Sequence, residues 1–231
     1  MSAVVALTAQ NTVAVTGVHE VPPVFIREQL DALFEDIGID VAKTGMLFSA
    51  PIIETVAAFL EAHPVALVVD PVMVAASGAK LLQDDAVSVL VERLFPLATV
   101  VTPNLHEACA LAGVAYDESA DRQELAERIH ALGAPAVVVT GGHGADAVDW
   151  LFDGARHVPI PVERHDVGST HGAGCTHSAS LAALLARGES LEDAARGASR
   201  IAAEAVRNGL AEIGAGSGPV DVFELEAVRA R

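Results

Sequence analysis

Residues 169–179, Ser-Thr-His-Gly-Ala-Gly-Cys-Thr-His-Ser-Ala, hold the chain's densest set of chemically capable groups. An alanine- and leucine-rich run follows as far as Arg187, so the stretch is a glycine-bearing turn opening into a helix. Gly172 and Gly174 allow backbone conformations closed to other residues and let a ligand approach the main chain. The first amides of a helix have no internal partners, and the helix dipole adds partial positive charge there. Such an end suits phosphate. Cys175 stands where that field is expected to lower its thiol pKa and favour the thiolate. An anion cradle with a base inside it is the layout for phosphoryl transfer to a hydroxyl. Glycine before a helix also has a plain structural explanation, close packing on a sheet, and short motifs misfire. The company the turn keeps decides between the two.

That company is a series of polar residues, each placed just after an apolar run. Ser2–Thr8 is β-rich and is expected to form an interior strand, with Gln10, Asn11 and Thr12 just past its carboxyl end. An amide there could read a small polar molecule, although Asn11 and Thr12 also suit a simple turn. Pro22-Pro23 opens a helix with Phe25, Ile26, Leu30, Leu33 and Phe34 on a helical period, ending near Gly38. A strand over Asp40–Thr44 leads to Gly45-Met46, and Ser49 is placed to cap a helix over Pro51–Ala62. Val65–Val69 is wholly apolar, as in a buried parallel strand, and Asp70-Pro71-Val72 follows at once. A carboxylate at that edge is expensive to bury alone, so Asp70 points to a cation or a capping role.

Asp84–Leu94 is amphipathic, and Thr99–Thr102 is the next strand, ending in Pro103-Asn104-Leu105-His106-Glu107. Asn104 and Glu107 have the spacing of a capping box, which also puts an amide and a carboxylate at the edge that carries Asp70. A helix over Asp121–Leu132 and a strand over Ala136–Thr140 lead to Gly141-Gly142-His143-Gly144, a loop suited to phosphate or a nucleotide. A hairpin across Asp153-Gly154 returns to the opening turn, two closing helices follow, and Gly214–Pro219 is expected to be a loose tail. Strand–helix alternation predicts one domain over residues 1–231, with a mostly parallel sheet in three α/β/α layers.

The bulk properties agree with a small-molecule enzyme. The 231 residues are 52% hydrophobic but only 4% aromatic, so the core must be built from Ala, Val, Leu and Ile. A net charge of −17 argues against nucleic acid and anionic membrane as partners, since both need clustered Lys and Arg. Cys109 and Cys175 suggest neither a disulfide framework nor a cysteine zinc site, and no apolar run is long enough to span a bilayer. The expected compartment is the cytoplasm. His165, His171 and His177 are evenly spaced, but a loop entering a helix does not give zinc geometry, and no Gly-x-Ser-x-Gly elbow follows a strand.

Taken together, Ala6-Leu-Thr-Ala-Gln-Asn-Thr12, Val21-Pro-Pro23, Lys43-Thr-Gly-Met46, Val69-Asp-Pro-Val-Met-Val74, Val101-Thr-Pro-Asn-Leu-His-Glu-Ala108, Gly141-Gly-His143 and Thr170-His-Gly-Ala-Gly-Cys-Thr176 resemble the hydroxymethylpyrimidine/phosphomethylpyrimidine kinases of thiamine biosynthesis. These belong to the ribokinase-like superfamily, and the segments keep the family's order across essentially the whole chain. The resemblance implies ATP-dependent phosphorylation of a pyrimidine alcohol and then of its monophosphate, with Mg²⁺. It implies Cys175 as base, with the amides of Gly172, Ala173, Gly174 and Cys175 around the transferred phosphoryl. Asp70, Asn104 and Glu107 would organise Mg²⁺ and its waters beside the ATP phosphates, with Asp70 and Glu107 as the metal carboxylates. Thr140 and Gly142 would lie near those phosphates, and Gln10, Met46 and Val72 would line the pyrimidine pocket. A pyridoxal-type alcohol is the rival substrate, and a catalytically impaired ligand-binding relative is a different class.

The sequence departs from the family pattern in four places. It starts at what should be the second strand, without the Gly-Ser-Asp and glycine-rich loop and its helix, so a ribokinase-like fold shortened at its N-terminus is expected. Such a loss would leave an apolar sheet edge unpaired, so either the start was assigned too late, or the chain compensates by association, as a homodimer, or it is a poorly active remnant. Thr140 stands where the family usually has lysine, and Ala173 and His177 differ from its commoner choices.

Overall fold

The first two strands stand apart from the main sheet. The computed structural model describes residues 1–75, 78–141 and 147–225. In it, β1 (Ala6–Gln10) pairs antiparallel with β2 (Val15–Glu20) as a two-stranded sheet of its own. The expected interior strand over Ser2–Thr8 is therefore wrong. An interior parallel strand is covered on both faces, whereas Leu7 is 52% exposed and Thr8, Ala9 and Gln10 are exposed beside it. A β-rich composition marks a strand without naming its partner. Between β1 and β2, the Asn11 Oδ1 accepts the amides of Val13 and Ala14, both at 2.9 Å, which is the turn its residue type suits.

The remaining elements alternate as expected. α1 (Pro23–Asp36) precedes β3 (Val41–Thr44), α2 (Ala50–Ala62) and β4 (Ala66–Val69). α3 (Asp84–Arg93) leads to β5 (Val100–Val101), α4 (Leu105–Leu111), α5 (Arg122–Ala131) and β6 (Val137–Val139). The hairpin of β7 (Val148–Phe152) and β8 (His157–Pro161) is followed by α6 (Ala173–Ala186) and α7 (Leu191–Arg207). Strands β3 to β8 lie in sequence order in one sheet, the first four parallel and the last two antiparallel.

Strand alternation sorts side chains into two cores. Leu67, Val69, Val101, Val137 and Val139 face α1 to α5, where Ile26, Ile52, Phe59, Leu90, Leu105 and Ile129 are fully or almost fully buried. Val68, Val100, Ala136 and Val138 face Leu181, Ala194, Ala195 and Ala198 of α6 and α7. Each such Val, Leu or Ile stabilises by about 1.5–3 kcal/mol when removed from water, so the layers are held by short aliphatic side chains. At the α6–α7 crossing, a Cβ on Gly197 would meet Leu184 Cδ1 at 2.6 Å, so the lack of a side chain sets the approach.

Gly214–Pro219 is not a loose tail. Gly216 donates its amide to Thr12 Oγ1 (3.2 Å), and Ser217 donates its hydroxyl to the Gly168 carbonyl (3.1 Å). His171 donates to the Gly218 carbonyl (3.1 Å), and Val220 donates to the His171 carbonyl (3.0 Å). A Cβ on Gly216 would sit 2.0 Å from the Thr12 carbonyl oxygen. Glycines that look like slack in the sequence are what lets this segment lie against the β1–β2 turn and against the approach to α6.

Candidate active site

α6 starts with Gly172 in the left-handed region (φ 90°), without a side-chain cap and with no acid in its first turn. The Ala173 amide turns back onto the Thr170 carbonyl (3.1 Å), and the first helical bond runs from Thr176 to Gly172 (2.8 Å). Among the described residues, the amides of Gly172, Gly174 and Cys175 make no hydrogen bond. These are the unspent donors of a helix start, in a region of positive potential. Of the four amides expected in the cradle, three are free and Ala173's is already used.

This helix start is fastened to the end of β4. Ser178 donates its hydroxyl to Asp70 Oδ2 (2.8 Å), and Lys43 Nζ lies 3.1 Å from the same oxygen. Asp70 is buried, so the sequence's demand for a partner is met by a lysine and a hydroxyl. Lys43 is the member of this cluster that sequence reasoning missed as a charge. The signal was present: a lysine inside the four-residue strand Val41–Thr44, followed by Gly45. A Cβ on Gly45 would come 3.1 Å from that ammonium, so the glycine leaves it room.

Glu107 lies in the first turn of α4. Its carboxylate accepts the Asn104 amide at 2.9 Å and the Met73 amide at 3.3 Å, while Asn104 Oδ1 accepts the Glu107 amide at 3.0 Å. The capping box expected from the sequence is therefore complete. Burial pushes the Glu107 pKa up to about 8; the Asn104 amide opposes this, the Asp70 charge adds to it and the Met73 amide again opposes it.

Cys175 differs from expectation. Its thiol pKa is raised, first by desolvation and then by Asp70 and Glu107, with Lys43 pulling it back. The residue as a whole is solvent-accessible, but its sulfur faces two carboxylates as well as a helix end. Desolvation, with smaller contributions from Asp70 and Glu107, outweighs the pull of the Lys43 ammonium.

The other expected residues divide. Asn104 and Thr140 are brought together by a parallel bridge, and Thr140 donates its amide to the Pro103 carbonyl (2.9 Å). Gly142 and His143 lie outside the described residues. Gln10 lines a cleft of about 340 Å³ with Asn11, Thr12, His171, Ile213 and Pro219, beside the approach to α6. Met46 and Val72 follow β3 and β4, are half-buried, and do not line that cleft. Ser49 occupies the N-cap position of α2, but its hydroxyl goes to Glu20 (2.5 Å) instead of the helix amides.

Two carboxylates, Asp70 and Glu107, face one another electrostatically, and among the described residues no three His, Cys, Asp or Glu side chains form a closed metal cage. Among the described residues, the buried hydroxyls of Thr44 and Thr102, at the ends of the strands either side of β4, have no hydrogen-bond partner. A sparse carboxylate pair with unsatisfied hydroxyls nearby fits a cation that keeps its waters and takes phosphate oxygens, as Mg²⁺ does.

The phosphomethylpyrimidine kinase family model matches residues 1–221. The thiamine biosynthesis bifunctional protein ThiED of Geobacter sulfurreducens is 49% identical over all of the chain, which spans only 48% of that longer protein. The hydroxymethylpyrimidine/phosphomethylpyrimidine kinase of Bacillus subtilis is 41% identical over 98% of the chain and 84% of its own length. Among solved structures, the ADP complex of Bacillus subtilis pyridoxal kinase superposes with a TM-score of 0.89 at 36% identity, covering all of this chain and 88% of that one. Its strand order, its open glycine-bearing helix start and these matches agree, and the chain belongs to the phosphomethylpyrimidine kinase family, with the ribokinase-like fold.

Proposed function

We propose that this chain uses ATP to phosphorylate 4-amino-5-hydroxymethyl-2-methylpyrimidine and then its monophosphate, a step of thiamine biosynthesis. The observation that carries the reading is the start of α6: free amides at Gly172, Gly174 and Cys175, fastened through Ser178 to Asp70. The family match and the relatives named for both phosphorylations support it.

In this reading Cys175, as thiolate, takes the proton of the substrate hydroxyl while the alcohol oxygen attacks the γ-phosphorus of ATP. A new O–P bond forms, the bond from that phosphorus to the β,γ-bridging oxygen breaks, and the electron pair leaves with ADP. Phosphoryl transfer of this kind depends on positioning and charge neutralisation more than on covalent help. The free amides hold the transferred group, and Lys43 both pairs Asp70 and favours the ionised form of Cys175. Asp70 and Glu107 would hold Mg²⁺, which would neutralise charge on the phosphates of ATP. Asn104, Thr140 and Gly142 would serve the nucleotide, and Gln10, Met46 and Val72 the pyrimidine. The working unit is a single domain acting as a homodimer in the cytoplasm; among the described residues no helix is long and apolar enough to cross a membrane.

A pyridoxal-type alcohol is the second reading, favoured by the likeness to the Bacillus subtilis pyridoxal kinase. ATP consumption with Mg²⁺ and each alcohol in turn, with product masses measured, separates them. The pyrimidine monophosphate and diphosphate are the expected products. Turnover of the pyridoxal-type alcohol alone would reassign the substrate, and no turnover of either would leave a ligand-binding relative.

A further inference from the structure

Away from the reacting groups, a buried line of side chains runs from α6 to the end of β6. His177, two residues after Cys175, is 3% exposed; Ser199 of α7 is 2% exposed and Asp149 of β7 is 4% exposed. Ser199 donates its hydroxyl to Asp149 Oδ2 (2.5 Å), and its oxygen lies 3.4 Å from His177 Nε2. The other carboxylate oxygen, Oδ1, accepts the amide of Gly141 at 2.6 Å. His177 Nε2 is itself 3.8 Å from Asp149 Oδ2, and His177 Nδ1 has no partner among the described residues. Burial pushes the imidazole pKa down against the pull of Asp149 and Asp70, so the ring is neutral at pH 7. With the proton on Nε2, imidazole donates to hydroxyl, hydroxyl to carboxylate and the Gly141 amide to the same carboxylate, which leaves Nδ1 as the open acceptor of the line.

These are the residue types of a hydrolase triad, but the arrangement is not one. The serine hydroxyl is committed to the carboxylate, and all three groups are shut away from solvent. A nucleophile needs its base on the hydroxyl and a path for substrate. The position of the line gives it another use. Ser178, the next residue after His177, fastens α6 to Asp70 on the other side. At the far end, Gly141 follows Thr140, and a Cβ on Gly141 would fall 2.0 Å from the Val148 carbonyl oxygen, so the backbone there has no slack.

We propose that Asp149, with Ser199 and His177, is a positioning residue for the nucleotide: it fixes the Thr140–Gly141 edge relative to the free amides of α6, so that both can engage one polyphosphate. This rests on the kinase reading above. Neutralising Asp149 leaves an acceptor for the Gly141 amide but removes the charge assistance, which changes an equilibrium by about tenfold.

The test is calorimetric titration of the whole chain with ADP in the absence of any alcohol, together with separate KM values for ATP and for the alcohol. Asp149→Asn is expected to weaken ADP binding by about tenfold and to raise the ATP KM similarly, while the alcohol KM stays within about twofold. Wild-type ADP affinity in folded D149N would overturn the proposal, as would equal rises in both KM values, which would mark a general structural role. If D149N does not fold, Ser199→Ala decides: it leaves Gly141 paired but frees the carboxylate, so a weakening of about threefold is expected. ADP affinity unchanged in that variant overturns the proposal. ADP binding is read without the alcohol, so the outcome does not depend on which alcohol is phosphorylated.

Discussion

α4 and α6 both begin at the carboxyl edge of the parallel strands, and their first turns are opposites. At α4, Asn104 and Glu107 close the end reciprocally, each accepting the other's amide. At α6, Gly172 supplies no cap, and three amides at the start remain free. The two helices share the direction of their dipoles but not the state of their donors. What marks a phosphate site is unspent amides, since a helix end that is already capped has little left to offer. The carboxyl group that closes α4 is buried in the field of Asp70, which favours its protonated form, so the closed end resists further negative charge while the open end attracts it.

The sharpest way to break this contrast is Cys175→Ala at the open end. Turnover is expected to fall by about 10²–10⁴, the range for losing a general base, with little change in melting temperature because the residue is solvent-accessible. Unchanged turnover in a coupled ADP assay would remove the base assignment.

Next in size is the pH behaviour of the closed end. The folded-state pKa of Glu107 is raised above its ordinary value to about 8, so folded protein binds this proton more tightly than unfolded protein does. Its contribution to stability is therefore full below the unfolded pKa, falls as pH rises, and is lost above about 8. Glu107→Gln is expected to flatten that fall. Denaturant melts of both proteins from pH 5 to 9, compared as a difference, would show it, and parallel curves would contradict it. Mg²⁺ needs the ionised carboxylate, so the Mg²⁺ concentration for half-maximal activity should drop over the same range.

A smaller effect is expected from Lys43→Met, which leaves Asp70 facing Ser178 alone. Turnover should fall by about tenfold or more, as for a lost buried ion-pair partner. Alkylation of Cys175 by iodoacetamide should need higher pH, because the influence that lowers its thiol pKa is gone. An unmoved alkylation profile would show that Lys43 does not act on the sulfur. The smallest is Asn104→Ala, which opens the closed end at a cost of about 1 kcal/mol, visible as a drop of a few degrees in melting temperature. No drop would mean that the capping box is geometrically complete but energetically idle.

Much of this was legible in the sequence because it was local. The capping spacing of Asn104 and Glu107, the Asn11 turn, the glycine-bearing start of α6 and the apolar strands β4 to β6 each depend on residues a few positions apart. The misreadings were all questions of partner. Ser2–Thr8 had strand composition, but its pairing with Val15–Glu20 outside the main sheet depends on contacts that composition does not encode. Gly214–Pro219 looked slack until Thr12 and Gly168 were placed against it. The rise in the thiol pKa of Cys175 needed Asp70 and Glu107, which lie 105 and 68 positions earlier in the chain.

By itself, then, the sequence determined that there is a helix with an unblocked glycine-bearing start, that carboxylates follow buried strands, and that short aliphatic residues must build the core. These follow from backbone freedom, hydrophobic alternation and side-chain reach, which act over a few residues. The tertiary structure alone decided that Lys43, Asp70 and Ser178 meet, that Cys175 faces two carboxylates, and that His177, Ser199 and Asp149 hold Gly141. Electrostatic and hydrogen-bond energies depend on distances of a few ångströms between groups far apart in the chain, and only the packed sheet and helices set those distances.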